Sequence, residues 1–300
     1  MDRLTEKIYW EKNYTTVATE PPLVDALAGE TAGFKRYLKK YLGEHLTDYS
    51  DYLLWDVVMK SCLPTDATMK TLEIGSAPGH NLLRLKETFG YQPYGVEYTA
   101  TGARMNRQLF AQHGLDPAQV IVADAFSPDF LAQHRGTFDV VTSFGFVEHF
   151  DDVRTVIERQ LDLLKEGGWL VVQIPRLVGL NYLIARCLNR ETLQMHNLPI
   201  MQKEAFRQLF TGLPLDARFV DYVGTLKLIL CLPHNQSGWL GRLTNSIKNL
   251  QVAMNLLLRA LFRQKGAESY LFSPYLAFVG RKIASSPLPA PAAEKALSNR

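Results

Sequence analysis

The feature that most constrains the fold of this chain is a regular alternation of short apolar runs with helical stretches between Met69 and Ile174. Such alternation predicts an α/β fold in which a parallel sheet carries helices on both faces. The apolar runs lie at residues 71–74, 94–96, 120–122, 138–141 and 169–174. The helical stretches lie at 81–89, 99–113, 126–134 and 153–164, and Lys-Glu-Gly-Gly at 165–168 is predicted to form a helix end and tight turn.

The segments on either side of this region are less regular. Residues 31–63 have helical periodicity, and after Pro175 the alternation stops before resuming with a helix at 202–210. Further strands are predicted at 217–223 and at Tyr275–Lys282. The predicted organisation is a helical cap at 1–64, a larger α/β domain at 65–283 with insertions at about 176–201 and 224–272, and a disordered tail at 284–300.

Composition excludes several classes of protein. Apolar residues make up 47% of the chain and charged residues 21%, which is ordinary for a folded domain, and a net charge of +3 is too small to indicate a nucleic-acid partner. The three cysteines are far apart without a CxxC pair, so no disulfide framework and no metal site is predicted. Without a signal peptide or a long apolar run, we expect a cytoplasmic protein, with attachment to a membrane surface left open.

A glycine-containing loop joins the first predicted strand of the alternating region to its first helix. Gly75 and Gly79 would let the backbone approach a ligand, and the N-terminus of the next helix offers unpaired N–H groups to it. A tight turn without any ligand would have the same glycines. The loop by itself therefore leaves both alternatives open.

Acidic residues at the ends of the next two strands favour a ligand. Glu97 ends the second strand, where a carboxylate can accept both hydroxyls of a ribose. Asp124 follows the third strand, where a carboxylate can accept the amine of adenine while the backbone N–H of Ala125 donates to the ring. Because parallel strands end at one edge of a sheet, these groups converge on a nucleoside site.

The spacing of the loop disfavours a nicotinamide dinucleotide. A dinucleotide fold needs G-x-G-x-x-G to admit a pyrophosphate, whereas Gly75 and Gly79 are separated by three residues with Ala77 in the middle. Glu73 would also repel a pyrophosphate. A carboxylate at that position suits a ligand with an ammonium group, such as the methionine part of S-adenosylmethionine.

Together these motifs resemble those of the class I S-adenosylmethionine-dependent methyltransferases. Glu73-x-Gly75-x-x-x-Gly79 is similar to their E/D-x-G-x-G-x-G loop, with Ala77 in place of the middle glycine. Val-Glu-His-Phe at 147–150 resembles the "LEH" segment of the small-molecule branch, which contains the ubiquinone-type O-methyltransferases, and Leu-Leu-Lys-Glu-Gly-Gly at 163–168 resembles their "LKPGG". The resemblance covers residues 50–175 well.

The resemblance implies a Rossmann-like, seven-stranded and mostly parallel sheet, with an antiparallel last strand and a helical insertion before it. It also implies S-adenosylmethionine as the cofactor. The expected cofactor-binding residues are Glu73, Gly75, Ser76, Ala77, Gly79, Glu97, Tyr98, Asp124, Ala125 and Ser143.

Methyl transfer to a hydroxyl requires alignment of donor and acceptor and removal of a proton, and it needs no metal. His149 is the candidate general base, because an imidazole can accept a proton near neutral pH and this one follows the fourth strand beside Glu148. Alternatively, Glu148 and His149 only orient the next helix.

The acceptor is predicted to be a small molecule or a lipid- or sugar-linked compound. Phe144 and Phe146 are expected to wall its pocket, and Tyr9 and Trp10 to close over the cofactor. The segment after the fifth strand offers further candidate contacts, which are Arg176, Asn181, Tyr182, His196 and Asn197. Solvated surface or plain core would explain these side chains as well.

The insertion before the last strand combines an apolar helical stripe with positive charge. The stripe comprises Leu243, Ile247, Leu250, Met254, Leu257 and Leu261. No Asp or Glu lies between Tyr222 and Ala267, whereas six Lys or Arg residues do, and Trp239 lies just upstream of the stripe. Residues 239–265 are therefore a candidate for peripheral membrane contact or a substrate lid; the alternative is a helix packed on the protein's own core.

The preferred hypothesis is O-methylation. N- or C-methylation of a small metabolite and a non-catalytic binding protein on the same fold remain alternatives. Methylation of DNA bases is disfavoured because Thr142-Ser143-Phe144-Gly145 replaces an N/D-P-P-Y motif.

Overall fold

The computed structural model describes residues 2–17, 48–232 and 238–283. Its strands are β1 (Lys70–Ile74), β2 (Gln92–Glu97), β3 (Val120–Val122), β4 (Phe138–Phe144), β5 (Leu164–Pro175), β6 (Leu215–Val223) and β7 (Tyr275–Lys282). Its helices are α1 (Lys7–Val17), α2 (Tyr49–Tyr52, continued by a π-helical stretch at Leu53–Met59 and a last turn at Lys60–Cys62), α3 (His80–Phe89), α4 (Ala100–Gln112), α5 (Pro128–His134), α6 (Val153–Leu163), α7 (Leu180–Leu188), α8 (Arg190–Gln194), α9 (Lys203–Gln208) and α10 (Gly238–Phe262). Short 3-10 turns lie at Pro117–Gln119, Val147–His149, Leu198–Met201 and Leu228–Cys231.

All seven strands belong to one sheet in the order β3-β2-β1-β4-β5-β7-β6. The first five strands pair in parallel, and β7 pairs antiparallel with both β5 and β6. The predicted fold class, including the antiparallel last strand and the helical insertion before it, is confirmed. The strand order reverses between β1 and β4, and a reversal of this kind opens a crevice at the carboxyl ends of the strands.

Both faces of the sheet are buried, which explains why its strands are continuous apolar runs. Along β5, Leu170 and Val172 join the core on one face, while Val171 joins the core on the other. Successive side chains of a strand point to opposite faces, so a strand covered on both sides must be apolar at every position. Helix α2 packs on the second face with α3, where Trp55 and Leu82 are both buried.

The fifth strand differs from its prediction. Residues 165–168 belong to β5 itself instead of forming a separate turn, and its pairing with β4 passes from Phe138–Leu164 to Val140–Trp169. The extra residues form an irregularity in the strand, and Gly167 adopts a φ of +77° within it. Such a bulge lets a strand absorb additional residues without breaking the sheet.

Several predictions concern residues outside the described part of the chain. These are the helical periodicity at 31–47, the side chain of Trp239 and the tail at 284–300. The division into a cap at 1–64 and a larger domain stays a prediction. In the described part of the chain, no helix combines the length and apolarity needed to cross a membrane.

Candidate cofactor and acceptor site

The loop after β1 brings its backbone close to the start of the crevice. Gly75 has a φ of +72°, which favours glycine, and a Cβ added there would lie 2.8 Å from Cδ2 of Phe146. The N–H of Gly75 donates to the carbonyl of Val96 at 3.0 Å, which holds the loop against β2. Gly79 precedes α3 with a φ of +106°. The two glycines thus permit a sharp turn and a close approach that larger residues would block.

A cavity of about 190 Å³ opens at the carboxyl ends of the central strands. Its walls come from β1, β2, the segments after β3 and β4, and the N-terminal residues. The lining residues are Arg3, Thr5, Trp10, Tyr14, Ile74, Gly75, Ala77, Val96, Glu97, Tyr98, Ala123, Asp124, Ala125, Phe144, Gly145, Phe146, His149 and Phe150. This is the crevice that the strand order predicts as the ligand site.

Glu97 has one carboxylate oxygen committed to the protein and one without a partner. Oε1 accepts hydrogen bonds from the backbone N–H of Thr99 at 2.9 Å and from its hydroxyl at 2.7 Å. Oε2 is buried and has no hydrogen-bond partner among the described residues, and burial raises the pKa of this carboxyl. A buried acceptor without a donor is costly, so this oxygen suits a ligand that brings hydroxyl donors, such as a ribose.

Asp124 also lines the cavity but is paired with the N-terminal segment. Its Oδ2 accepts a hydrogen bond from Nη2 of Arg3 at 2.6 Å, and its Oδ1 accepts from the backbone N–H of Phe126 at 3.0 Å. The guanidinium of Arg3 lies 4.5 Å from the ring centroid of Tyr98. Arg3 therefore compensates the negative charge at the end of the cavity where adenine is predicted to bind.

Glu73 lies below the loop and is not among the residues that line the cavity. Its Oε1 accepts from the side-chain amide of Asn81 at 2.8 Å, and its Oε2 is buried with no hydrogen-bond partner among the described residues. Burial raises the pKa of this carboxyl to about 8, so most of it is protonated at neutral pH. A nearby cation would lower that pKa and so favour the ionised form of the Glu73 carboxyl group.

The N-terminal segment crosses the mouth of the cavity and is held at both ends. At one end the N–H of Leu4 donates to the carbonyl of His149 at 2.8 Å. At the other, the carboxylate of Glu11 accepts from the backbone N–H groups of Ala100 and Thr101, at 2.9 and 3.2 Å, at the start of α4. A carboxylate at a helix N-terminus is favoured by the helix dipole. The segment thus covers the cavity from the turn after β4 to α4.

His149 is the buried base candidate, and its geometry selects one nitrogen. Nδ1 lies 2.9 Å from both the carbonyl oxygen of Met195 and the hydroxyl of Thr5. A carbonyl can only accept, so Nδ1 carries the proton and Nε2 is left with the lone pair. Burial, followed by the neighbouring His196, lowers the pKa of His149 to about 3, so the ring is neutral at physiological pH.

Glu148 stands beside His149 in the interior. Its Oε1 lies 3.9 Å from Nε2 of His149, and both of its carboxylate oxygens lack hydrogen-bond partners among the described residues. Burial raises its pKa to about 8. Glu148, His149 and His196 also offer ligand atoms within 4.8 Å of one another, which makes them the group in the described ranges that could hold a metal ion.

Some predicted site residues lie elsewhere. Ser76 accepts a hydrogen bond from Asn106, and the hydroxyl of Ser143 donates to Gln160 at 3.2 Å. Asn197 donates to the carbonyl of Phe150, which ties its segment to the turn after β4. The predicted residues that do not line the cavity are Glu73, Ser76, Gly79, Ser143, Glu148, Arg176, Asn181, Tyr182, His196 and Asn197. Tyr9 also lies outside the lining, whereas Trp10 belongs to it.

Arg176 forms a separate buried feature. Its guanidinium lies between the rings of Tyr222 and Tyr270, 4.8 and 4.9 Å from their centroids, and Nη1 donates to the carbonyl of Ser273 at 3.3 Å. Asn181 donates to the carbonyl of Arg176 at 2.9 Å. These contacts connect the end of β5 with the segment before β7, so a role in the acceptor pocket stays a prediction.

Of the lining residues in the N-terminal segment, the sequence indicated Trp10, whereas Arg3, Thr5 and Tyr14 were missed. Arg3 and Thr5 lie in a polar stretch without a motif, and only the folded chain shows that they meet Asp124 and His149. Trp10 and Tyr14 carry a weak signal, because a spacing of four places two aromatic rings on one face of a helix. Burial raises the pKa of Tyr14, in line with its position in the cavity wall.

Comparison with known proteins decides the family. The family model described as "Methyltransferase domain" matches residues 45–217, which is more than half of the 300 residues. The chain belongs to this methyltransferase family. Its match and the resemblance noted above agree on the class I, small-molecule type of S-adenosylmethionine-dependent enzyme.

A curated relative and two solved structures are similar to this methyltransferase. The ubiquinone biosynthesis O-methyltransferase of Thiobacillus denitrificans is 27% identical over 119 residues, covering 40% of this chain and 50% of the relative, so the match spans about half of that protein. The structure of geranyl diphosphate C-methyltransferase from Streptomyces coelicolor A3(2), solved with Mg²⁺, geranyl diphosphate and S-adenosyl-L-homocysteine, has a TM-score of 0.56 at 11% identity and covers 92% of this chain and 98% of that one. An S-adenosylmethionine-dependent methyltransferase from Archaeoglobus fulgidus has a TM-score of 0.48 at 18% identity, covering 83% of this chain and 100% of that one.

The cofactor of this methyltransferase is S-adenosylmethionine, as the sequence predicts. The residues present fit it. The buried Oε2 of Glu97, which has no hydrogen-bond partner among the described residues, suits ribose hydroxyls, and the cavity extends from there to Asp124 and Ala125.

Proposed function

We propose that this protein transfers the methyl group of S-adenosylmethionine to a hydroxyl of a small-molecule or lipid- or sugar-linked acceptor. The observation that supports this most is the position of His149. It lines the same cavity as Glu97, Asp124 and Ala125, which we propose as cofactor contacts, and its Nε2 makes no hydrogen bond to the described residues. A neutral imidazole with an open lone pair beside a methyl-donor site is suited to removing a proton from a hydroxyl.

The proposed cofactor site uses residues from four places in the fold. Glu97 binds the ribose, Asp124 and Ala125 bind the adenine, and the loop at Gly75 and Ala77 accommodates the methionine part of the cofactor. The other proposed contacts are Glu73, Ser76, Gly79, Tyr98 and Ser143, of which Tyr98 lines the cavity. When bound, S-adenosylmethionine would supply a methyl group on a sulfonium centre, which passes to the acceptor oxygen as the methyl–sulfur bond breaks and S-adenosylhomocysteine leaves.

The residues of the protein would assist this reaction by positioning and proton removal. The carbonyl of Met195 fixes the tautomer of His149 by accepting a hydrogen bond from its Nδ1–H, so that Nε2 can take the acceptor's proton. Glu148, whose Oε1 lies 3.9 Å from Nε2, would stabilise the imidazolium that forms when its own carboxyl group is ionised. Burial of both groups excludes water, which strengthens their interaction in the interior.

The walls of the cavity favour an apolar acceptor. Phe146 and Phe150 line the cavity and pack against Phe126 behind them, with the three ring centroids 5.2 to 6.1 Å apart. Trp10 also lines the cavity, and its ring packs edge-on against that of His149 with the centroids 5.0 Å apart. Aromatic side chains recognise flat apolar groups through area and ring geometry. The peripheral membrane contact predicted through residues 239–265 is part of the same proposal, because it would bring lipid-linked acceptors to the site.

The test is methyl transfer to acceptors that share an apolar ring and differ in the attacking atom: a phenol, an aromatic amine and a thiophenol. The measurement is the release of S-adenosylhomocysteine. We expect turnover with the phenol, and we expect His149→Ala to lower kcat by about 10²- to 10⁴-fold while the Kd for S-adenosylhomocysteine changes little.

His113→Ala, at an exposed histidine on the end of α4, is the matched control and should keep full activity. Faster turnover of the aromatic amine than of the phenol would indicate that the enzyme methylates nitrogen instead of oxygen. Tight binding of the cofactor without turnover of any acceptor would indicate the non-catalytic alternative, and normal turnover by His149→Ala would remove His149 from the mechanism.

A further inference from the structure

Helix α10 buries polar side chains and exposes leucines, the reverse of an ordinary surface helix. Thr244, Gln251 and Asn255 are between 2% and 6% exposed. The leucines of the predicted stripe lie on the outside: Leu243, Leu250, Leu257 and Leu261 are 40%, 52%, 57% and 65% exposed. The alternative that this stripe packs on the protein's own core is therefore wrong for these leucines.

Hydrogen bonds fix the rotation of α10 about its axis. Oε1 of Gln251 accepts from the backbone N–H of Leu228 at 2.6 Å, and its Nε2 donates to the carbonyl of Leu226 at 3.1 Å and to Oδ1 of Asn255 at 2.8 Å. Leu258 and Phe262 pack against the core on the same side. Turning the leucines inward would break buried hydrogen bonds, and a buried amide left unpaired is costly.

The exposed leucines form one continuous row. Spacings of seven, seven and four residues keep them on one side of an α-helix. Ile247 and Met254 belong to the same row and are partly exposed. A contiguous apolar surface on a soluble protein marks a site of interaction with another apolar phase or molecule.

The chain segment that carries this row has charges of one sign. Residues 222–267 contain six basic and no acidic residues. Lys227 is buried and forms an ion pair, with its Nζ 3.1 Å from Oδ1 of Asp51. In contrast, Arg242, Arg263 and Lys265 are exposed. Aliphatic side chains for the acyl region and cations for phosphates are the features of helices that lie in the interface of an anionic membrane.

We propose that α10 docks this protein on the surface of an anionic lipid bilayer, with Leu243, Leu250, Leu257 and Leu261 inserted and Arg242, Arg263 and Lys265 on the headgroups. The charge complementarity favours lipid over a protein groove, because the apolar row is aliphatic and the cations need no specific acidic partner. The inference specifies the lipid-linked part of the proposed function. Its test measures binding alone, so either can fail without the other.

The test is co-sedimentation of the full chain with vesicles of phosphatidylcholine with or without phosphatidylglycerol, at low and high salt. We expect binding to the anionic vesicles at low salt, and weaker binding as salt screens the cations. Leu257→Gln should weaken binding about tenfold, and Arg263→Gln about fivefold. The control is Leu183→Gln on α7, because Leu183 is 58% exposed and Leu257 57%, and it should bind as the wild type does.

Three outcomes would overturn the proposal. The first is absence of wild-type binding to anionic vesicles at low salt, and the second is equal binding by Leu257→Gln and wild type. The third is a wild-type dimer in light scattering that Leu257→Gln converts to a monomer, since the row would then contact a second copy.

Melting curves of both leucine variants check folding. A large loss of Tm confined to Leu257→Gln would mean that the protein's own chain covers the row, which also contradicts the proposal.

Discussion

At the scale of single residues, the pKa values of Glu148 and His149 move in opposite directions for the same reason. Burial disfavours the charged form of each, which raises the pKa of Glu148 to about 8 and lowers that of His149 to about 3. At neutral pH the pair is therefore uncharged. In the proposed reaction, the imidazolium of His149 gains a charged partner only when Glu148 is ionised.

This coupling predicts a pH dependence of the rate. We expect kcat to rise as pH increases through about 8, because the Glu148 carboxylate then stabilises the imidazolium of His149. Glu148→Gln should lower kcat above pH 8 and flatten the profile, whereas Glu158→Gln, at an exposed glutamate of α6, should keep the rise. A wild-type rate independent of pH across this range would contradict the coupling.

Glu73 leads to a prediction about protons released on binding. Its pKa of about 8 leaves it mostly protonated at pH 7, and an ammonium group nearby would lower that pKa and expel the proton. Calorimetry of S-adenosylhomocysteine binding in two buffers with different ionisation enthalpies should reveal proton release that Glu73→Gln lacks. Methylthioadenosine, which has no ammonium group, serves as control; equal release with both ligands would show that Glu73 is not the source.

The residue scale also shows where sequence reasoning stops. The acids Glu97 and Asp124 could be placed at the sheet edge because each ends a recognisable strand, and both line the cavity. Ser143 and Phe144 are adjacent in β4, yet Phe144 lines the cavity while Ser143 bonds to Gln160 in the interior. Neighbours on a strand face opposite sides, and the sequence does not reveal which side carries the ligand.

At the scale of secondary-structure elements, α1 lies over the cavity. Trp10 lines the cavity from this helix, and Ile8 on the same helix is 74% exposed. Trp10→Ala should therefore weaken binding of S-adenosylhomocysteine by about tenfold through lost apolar contact, whereas Ile8→Ala should not. Fluorescence or calorimetric titration measures both, and equal affinities for Trp10→Ala and wild type would exclude a covering role.

The elements were predictable to different degrees. The parallel strands and their helices follow from periodicity, because each strand is buried on both faces and each helix on one. The sequence predicts that α10 is a helix, but it does not predict which side of the helix faces the interior. Gln251 and Asn255 are buried and hydrogen-bonded to each other, and this places the leucines on the outside. The covering position of α1 depends on contacts between Glu11 and α4, far away in sequence.

At the scale of the whole molecule, the strand order creates the site. The sheet turns back between β1 and β4, so the loop at Gly75, the end of β2 and the turn at His149 meet over one crevice. Alternation predicts the parallel sheet but not the order of its strands. The near-neutral total charge likewise conceals the basic segment at 222–267, where we place the membrane contact.

The central claim is that this crevice holds S-adenosylmethionine through Glu97. Isothermal titration calorimetry with S-adenosylhomocysteine tests it on the wild type, on Glu97→Gln and on Glu87→Gln, an exposed glutamate of α3. Loss of a charged hydrogen-bond acceptor to the ribose is worth about 1.5–3 kcal/mol, so Glu97→Gln should bind about tenfold or more weakly while Glu87→Gln binds normally. Unchanged affinity in Glu97→Gln, or binding of NAD⁺ in place of S-adenosylhomocysteine, would contradict the account.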